Sequence, residues 1–358
     1  MKKQFLFFVL SILLFGQVEA QVRTDYTFYI GTYTSGESKG IYKYILQGNG
    51  LMEYAGLAAR SENPSYLTFN KEKEFLLAVN ENKAGRIESF AVTNDTLLLV
   101  SKSPSGGSSP CYVTTNGTGY ILTANYGSGT VGLLKMNSGQ LSKLQFVEDH
   151  HSEEGLTAHA HSVQFIPNSN TVISVDLGTN ELWFSKLDTT KQKLIPLNQP
   201  RLKLSGNPAP RHFVQHPNGK WIYVINELGN SVTLVKHTPE GAFIQGETFS
   251  TLPADFKGKS YCADIHLSAD NRFIYASNRG FNSIAIFKVN TDGSIKLIDN
   301  EPVRGDFPRN FALSPDENYL LVANQKSNNI VAFKRDKTSG LLQFVDEIDA
   351  PVPVYILF

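Results

Sequence analysis

An all-β ring of seven four-stranded antiparallel blades, a β-propeller, is the architecture this chain predicts, and three observations predict it. One unit recurs six times, a seventh is divided between the two ends of the chain, and no amphipathic helical stretch interrupts the alternation of strand and turn.

Each intact copy starts at or near a Pro, runs through an alternating strand and a turn, and closes a β-rich strand on Asn or Asp. Two examples are "PSYLTFNKEKEFLLAVNE" and "PRHFVQHPNGKWIYVINE". The closing residues Asn80, Asn125, Asp176, Asn226, Asn278 and Asn324 recur at intervals of 45 to 52 residues, a period that marks propeller blades or solenoid turns. The chain ends on "PVYILF" (Pro353 to Phe358), which matches the first strand of the unit at Pro64 to Phe69, while residues 27–46 match its second and third strands. Pairing the two ends in one sheet removes the free edges that an open array would expose. Residues 21–358 are therefore expected to form one domain.

The first 20 residues read as a cleaved signal peptide. Lys2 and Lys3 precede an apolar run from Phe5 to Phe15 that is too short to span a bilayer, and "VEA" ends at Ala20 as a small-residue cleavage site. An exported protein, periplasmic or secreted and free of the membrane after cleavage, is expected. Such a compartment permits disulfides. Yet Cys111 and Cys262 fall on separated sectors of the ring, farther apart than a bridge allows, and are expected to stay unpaired.

Lys plus Arg and Asp plus Glu both number 33, so the formal charge is zero, which argues against a nucleic-acid partner. The chain lacks GxSxG, HExxH, a Walker loop and a dinucleotide fingerprint, leaving no support for a nucleophilic Ser, a zincin, a nucleotide site or a Rossmann fold.

In antiparallel blades the start of the innermost strand lies beside the end of the second, at one rim of the central channel. The first position holds Ser65, Cys111, His161, Arg211, Ala263, Arg309 and Val354 in the seven units. The second holds Thr32, Glu81, Tyr126, Leu177, Glu227, Arg279 and Gln325. His161, Arg211, Glu227, Arg279 and Arg309 come from the third to sixth copies and are expected to form an arc of basic groups around one carboxylate. Departures from a symmetric repeat mark grafted function, and Arg beside Glu in a cavity is the strongest anion-site signal here. Plainer readings exist: Arg211 and Glu227 as an ion pair that staples two strands, and Arg279 and Arg309 as solvated rim charges. His159 and His161, two apart in "HAH", resemble a metal pair, but no third ligand follows at a suitable spacing, so no metal is expected. His161 is read as a rim acid or base supported by His159. His150 and His151, in "EDHHSEEG", are expected in a mobile acidic loop.

The motifs "YIGTYTSGESKGIYKY", "HAHSVQF", "PRHFVQHPNGKWIYVINEL", "DIHLSADNRFIYASNRG" and "GDFPRNFALSPDENYLLVANQKSNNI" lie between residues 29 and 330 and carry a resemblance that covers essentially all of residues 26–358. In them the chain resembles the lactonase family of seven-bladed propellers, whose bacterial members include the 6-phosphogluconolactonases and whose fungal relatives include the carboxymuconate cyclases. The resemblance implies a site made of His161, Arg211, Glu227 and Arg279, a lactone substrate, and no metal or cofactor.

On that footing Glu227 is expected to act as general base oriented by Arg211, Arg279 to face the oxyanion or the new carboxylate, and His161 to protonate the departing ring oxygen. Arg309, with Asn324 and Gln325, is expected to receive a distal anionic group such as a phosphate. Asn226 and Asn278, adjoining Glu227 and Arg279, are expected substrate contacts together with His159. The leader strains a cytosolic 6-phosphogluconolactonase role and points to a sugar or organic-acid lactone. A lactonizing cycloisomerase and a non-enzymatic ligand-binding propeller remain alternatives. A monomer is expected, since a closed ring needs no partner.

Overall fold

The computed structural model describes residues 24–151, 155–167 and 169–358; the leader expected over residues 1–20 lies outside them. Among the described residues there is no helix, and seven antiparallel sheets follow one another around a ring. Blades one to six are the six intact copies. Their innermost strands are Leu67–Phe69, Pro110–Thr115, Ala160–Phe165, Pro210–Gln215, Tyr261–Leu267 and Pro308–Leu313. Blade two departs from four strands because its outer strand is broken into Gln140–Leu141 and Phe146–Asp149.

Blade seven is the spliced one. Its innermost strand, Pro353–Leu357, pairs with Tyr26–Thr32 in the register Tyr29↔Leu357 and Ile30↔Ile356, and the sheet continues through Gly40–Leu46 and Met52–Arg60. Val354 and Ile356 are buried there, Ile356 in a cluster with Phe28, Ile30 and Leu321 of the neighbouring blade. Seven such apolar clusters lie between successive blades. They form because alternating strands expose an apolar face on either side.

Inner strands carry a bulge at the rim. In blade four the ladder steps from Pro210↔Asn226 to His212↔Ile225, skipping Arg211, and the same step skips Cys111, His161 and Arg309 in blades two, three and six. A bulge re-aims the side chain it carries. Here it turns those residues to the channel mouth.

The splice corrects one register assignment. Thr32 pairs with Pro353 as Asn226 pairs with Pro210, so Thr32 is the counterpart of the strand-closing Asn, and Tyr33 is the rim residue of blade seven. The approach is tight, because a Cβ on neighbouring Gly31 would fall 2.4 Å from the Pro64 carbonyl oxygen.

The strand-closing Asn residues also differ from expectation. Asn226, Asn278 and Asn324 are fully buried. Asn226 donates to Ser231 and Thr233 hydroxyls, Asn278 donates to Ser283 and to the Thr251 carbonyl, and Asn324 donates to the Val303 carbonyl. Their amides lock blade turns and connections instead of reaching a substrate, because the side chain at that position points into the blade. His150, which directly follows the strand Phe146–Asp149, is likewise not exposed in a mobile loop. It is fully buried, stacked on Trp183 at 4.3 Å, with Nδ1 3.1 Å from Asp176. Both cysteines are buried and free.

If closure rests on this strand, Ile356→Ala should cost about 2–5 kcal/mol in denaturant unfolding. Ile298→Ala, at a position 39% exposed, should cost no more than about 0.5 kcal/mol.

Candidate active site

Glu227 is the half-exposed centre of the mouth. The Arg211 Nε lies 3.1 Å and the Arg279 Nη2 2.9 Å from its Oε2, and these guanidinium side chains are 3% and 5% exposed against 22% for the carboxylate. Burial pushes the Glu227 carboxyl up, but Arg279, Arg211 and Arg309 outweigh it and hold it below its ordinary value. The Arg211 contact is an ion pair without hydrogen-bond alignment at Nε. Arg211 is tied elsewhere, donating through Nη1 to the Ala263 carbonyl and to His212 Nε2, the latter at 3.2 Å. Arg279 donates from Nη2 to the Cys262 carbonyl at 2.8 Å and lies over the Phe307 ring. Burial, with Arg211 nearby, lowers it to about 10, so it keeps its charge at neutral pH.

His161, from the blade preceding that of Glu227, is 4% exposed and meets His212 edge to face at 5.2 Å. Burial and then Arg211 hold it well below the ordinary histidine range. A neutral imidazole is a poor proton donor at pH 7, so the expected role of His161 as leaving-group acid does not suit its surroundings. His159 is not its partner on one strand face. It stacks on Tyr126 at 4.3 Å and shares its Nδ1 hydrogen with the Tyr126 carbonyl, whereas His161 meets the same ring edge-on.

Below the rim lies a polar file that the rim register did not include. Because Arg can only donate, His212 Nε2 accepts from it, and His212 Nδ1–H donates to Asp264 Oδ1 at 2.8 Å. Asp264 Oδ2 accepts from His266 Nε2 at 3.0 Å and from Asn310. His266 borders a cavity of about 820 Å³ at the far ends of the inner strands. Burial would raise Asp264, but His266 and the bonds from both histidines overcome it and keep the carboxylate ionised. His212, Asp264 and Asn310 occupy one repeat position, one step along the inner strand from Arg211, Ala263 and Arg309. Reading the second channel-facing position as well as the first would have found them.

Across the mouth stands a second carboxylate, Glu81 of blade one. It accepts the Tyr33 hydroxyl at 2.9 Å and the Ser65 hydroxyl at 2.5 Å. Arg309 donates from Nη2 to the Tyr33 oxygen at 2.7 Å and lies over that ring. That hydroxyl is neutral, so the bond orients Arg309 without cancelling its charge. Gln325 reaches the rim, where its buried Oε1 lacks a hydrogen-bond partner. Among the described residues no group of three or more His, Cys, Asp or Glu side chains is placed to hold a metal ion.

A closed seven-bladed ring whose mouth gathers three Arg and two Glu from four blades is a propeller with its polar chemistry at one end of the channel. More narrowly, the chain belongs to the lactonase family of seven-bladed β-propellers, whose family model matches residues 27–358. It is 32% identical over 349 residues to a 6-phosphogluconolactonase of Bacillus subtilis, covering 94% of this chain and 99% of that protein. Among solved structures it is similar to a periplasmic gluconolactonase of Pseudomonas aeruginosa, with TM-score 0.88, 29% identity, and 93% and 98% of the two chains covered. A putative 6-phosphogluconolactonase of Bacteroides fragilis gives TM-score 0.86 at 31% identity, with 94% and 98% covered.

His161 and His212 stay neutral in the fold, His212 lowered to about 4 by burial and Arg211, but both charge on unfolding near pH 6.5. The unfolded chain then binds more protons, so stability falls as pH drops from about 6.5 toward 4, by up to ~1.4 kcal/mol per pH unit for each. Urea unfolding over that window should show the slope, and His212→Gln should flatten it. An unchanged slope in the variant would remove His212 from the account.

Proposed function

We propose that the chain is an exported hydrolase of small lactones that works without a metal. The observation that carries the reading is two buried guanidinium groups closing on one half-exposed carboxylate at the channel mouth of a lactonase-family propeller. The names of the relatives support a lactone as the substrate, and the periplasmic neighbour supports export by the leader over residues 1–20.

Hydrolysis needs a base for water and donors for the tetrahedral oxyanion. In this reading Glu227 takes a proton from a water, whose oxygen bonds to the ester carbon. Both guanidinium groups approach Oε2, leaving Oε1 to address that water. Arg279, with Nη1 left over from its bonds to Glu227 and Cys262, meets the oxyanion. Collapse of the intermediate breaks the ring C–O bond, and the protonated Glu227 returns its proton to the leaving oxygen. Lowered basicity slows the first transfer, but it makes the protonated carboxyl a strong donor for the second. His161, held neutral, serves as a hydrogen-bonding wall.

Glu227→Gln should lower kcat on δ-gluconolactone by about 10² or more, followed as acid release with spontaneous hydrolysis subtracted. Near-normal turnover in that variant would dismiss Glu227 as the base. In the unsubstituted protein the acid limb of kcat/KM should fall below the ordinary Glu value of about 4.3, not near the histidine value of about 6.5, because the Arg groups keep the carboxylate ionised.

A further inference from the structure

The two mouth carboxylates occupy the same repeat position, each directly following a strand-closing Asn, Asn80 or Asn226. Their surroundings are opposite in kind. Glu227 has Arg211 on its own blade and Arg279 on the next. Glu81 has Ser65 on its own blade and Tyr33 on the preceding one, both hydroxyl donors. One scaffold position has thus been built twice, once with fixed cations and once with neutral hydroxyls.

We propose that Glu81, with Tyr33 and Ser65, is a second subsite of the mouth that binds the hydroxyl groups of an uncharged, polyhydroxylated lactone while Glu227 acts on its ester. The proposal rests on the lactonase reading and names the substrate class. An ionised carboxylate is an acceptor only, with room for about four hydrogen bonds. Two hydroxyls already mark the directions along which Glu81 accepts, and the hydroxyls of a sugar lactone are donors of the same type. Bonds to an ionised acceptor are the stronger kind, so the subsite selects for hydroxylation and not for apolar bulk.

Charge at the mouth points the same way. Arg211, Arg279 and Arg309 against Glu227 and Glu81 leave one net positive charge, with His161 neutral. Before reaction that leaves little excess positive charge for a substrate that is itself anionic. A phosphate monoester would bring about 1.5 to 2 further negative charges toward a rim whose remaining guanidinium, Arg309, already donates to Tyr33 and whose second carboxylate is Glu81. Burial holds the Tyr33 hydroxyl protonated, well above its ordinary range, so it remains a donor to Glu81.

The test compares δ-gluconolactone with δ-valerolactone, which has the ester and ring but no hydroxyls, in the unsubstituted protein, Glu81→Gln and Tyr33→Phe, after each variant's unfolding midpoint shows it folded. Glu81→Gln should raise KM for gluconolactone about tenfold or more and leave kcat/KM for valerolactone within about twofold; Tyr33→Phe should shift the same ratio in the same direction. Equal losses on both lactones, or no change on either, overturn the subsite. Calorimetric binding of the unreactive glucono-δ-lactam separates this from the lactonase reading. If the protein turns over neither lactone yet binds the lactam in a Glu81-dependent way, the hydrolase reading fails and the subsite stands. Lactam binding that is unaffected by Glu81→Gln overturns the subsite whatever the turnover.

Discussion

Closure of the ring by its own last strand is the constraint on which everything at the mouth depends. A propeller blade cannot bury its two faces alone, and an open array of seven would leave both terminal sheets with a bare face and a free edge. Pairing Ile30 with Ile356 and Tyr29 with Leu357 makes the seventh sheet from both ends of the chain. The same splice carries Tyr33 to the rim beside Arg309 of blade six and Glu81 of blade one. Half of the mouth therefore exists only because the circle is complete.

The mouth concentrates charge at a cost the fold offsets locally. Arg211 and Arg279 are almost fully buried, and a buried guanidinium without partners is strongly destabilising. Each is ion-paired with Glu227 and donates to a backbone carbonyl of blade five, while the Arg211 Nε has no aligned acceptor. Behind Arg211 the file of His212, Asp264, His266 and Asn310 hands the polarity on through the channel, every member hydrogen-bonded. A fully satisfied network of this kind is rigid, which fixes the orientation of the groups that Glu227 depends on. The interior of the channel is thus a set of polar supports, and the apolar cores lie between the blades.

How much of this could be read in advance varies by residue. The positions of His161, Arg211, Glu227, Arg279 and Arg309 followed from counting along the repeat, since equivalent positions in a ring must converge. What each side chain does once there did not follow. Asn226, Asn278 and Asn324 adjoin the rim in the chain but point into the blades, because successive strand residues face opposite sides. Thr32 was one residue short of the rim because the split unit offers no Asn to count from. Residue type and the family resemblance point to an acid's role for His161, whereas burial, and then the charge of Arg211, favour its neutral form. Glu81 stood at the right repeat position all along. Nothing in its own segment announces Tyr33 and Arg309, which arrive from 48 residues before it and from the sixth blade.

The repeat, its period and the divided seventh unit were sufficient to specify a seven-bladed ring and the set of residues at its mouth, because strand alternation and register are local properties that recur in the linear order. Pairings, burial and protonation are not. Whether a rim carboxylate meets guanidinium or hydroxyl groups, and whether a histidine holds its proton, depend on neighbours contributed by other blades. Only the closed ring brings those together, through distances and a dielectric that no single segment encodes.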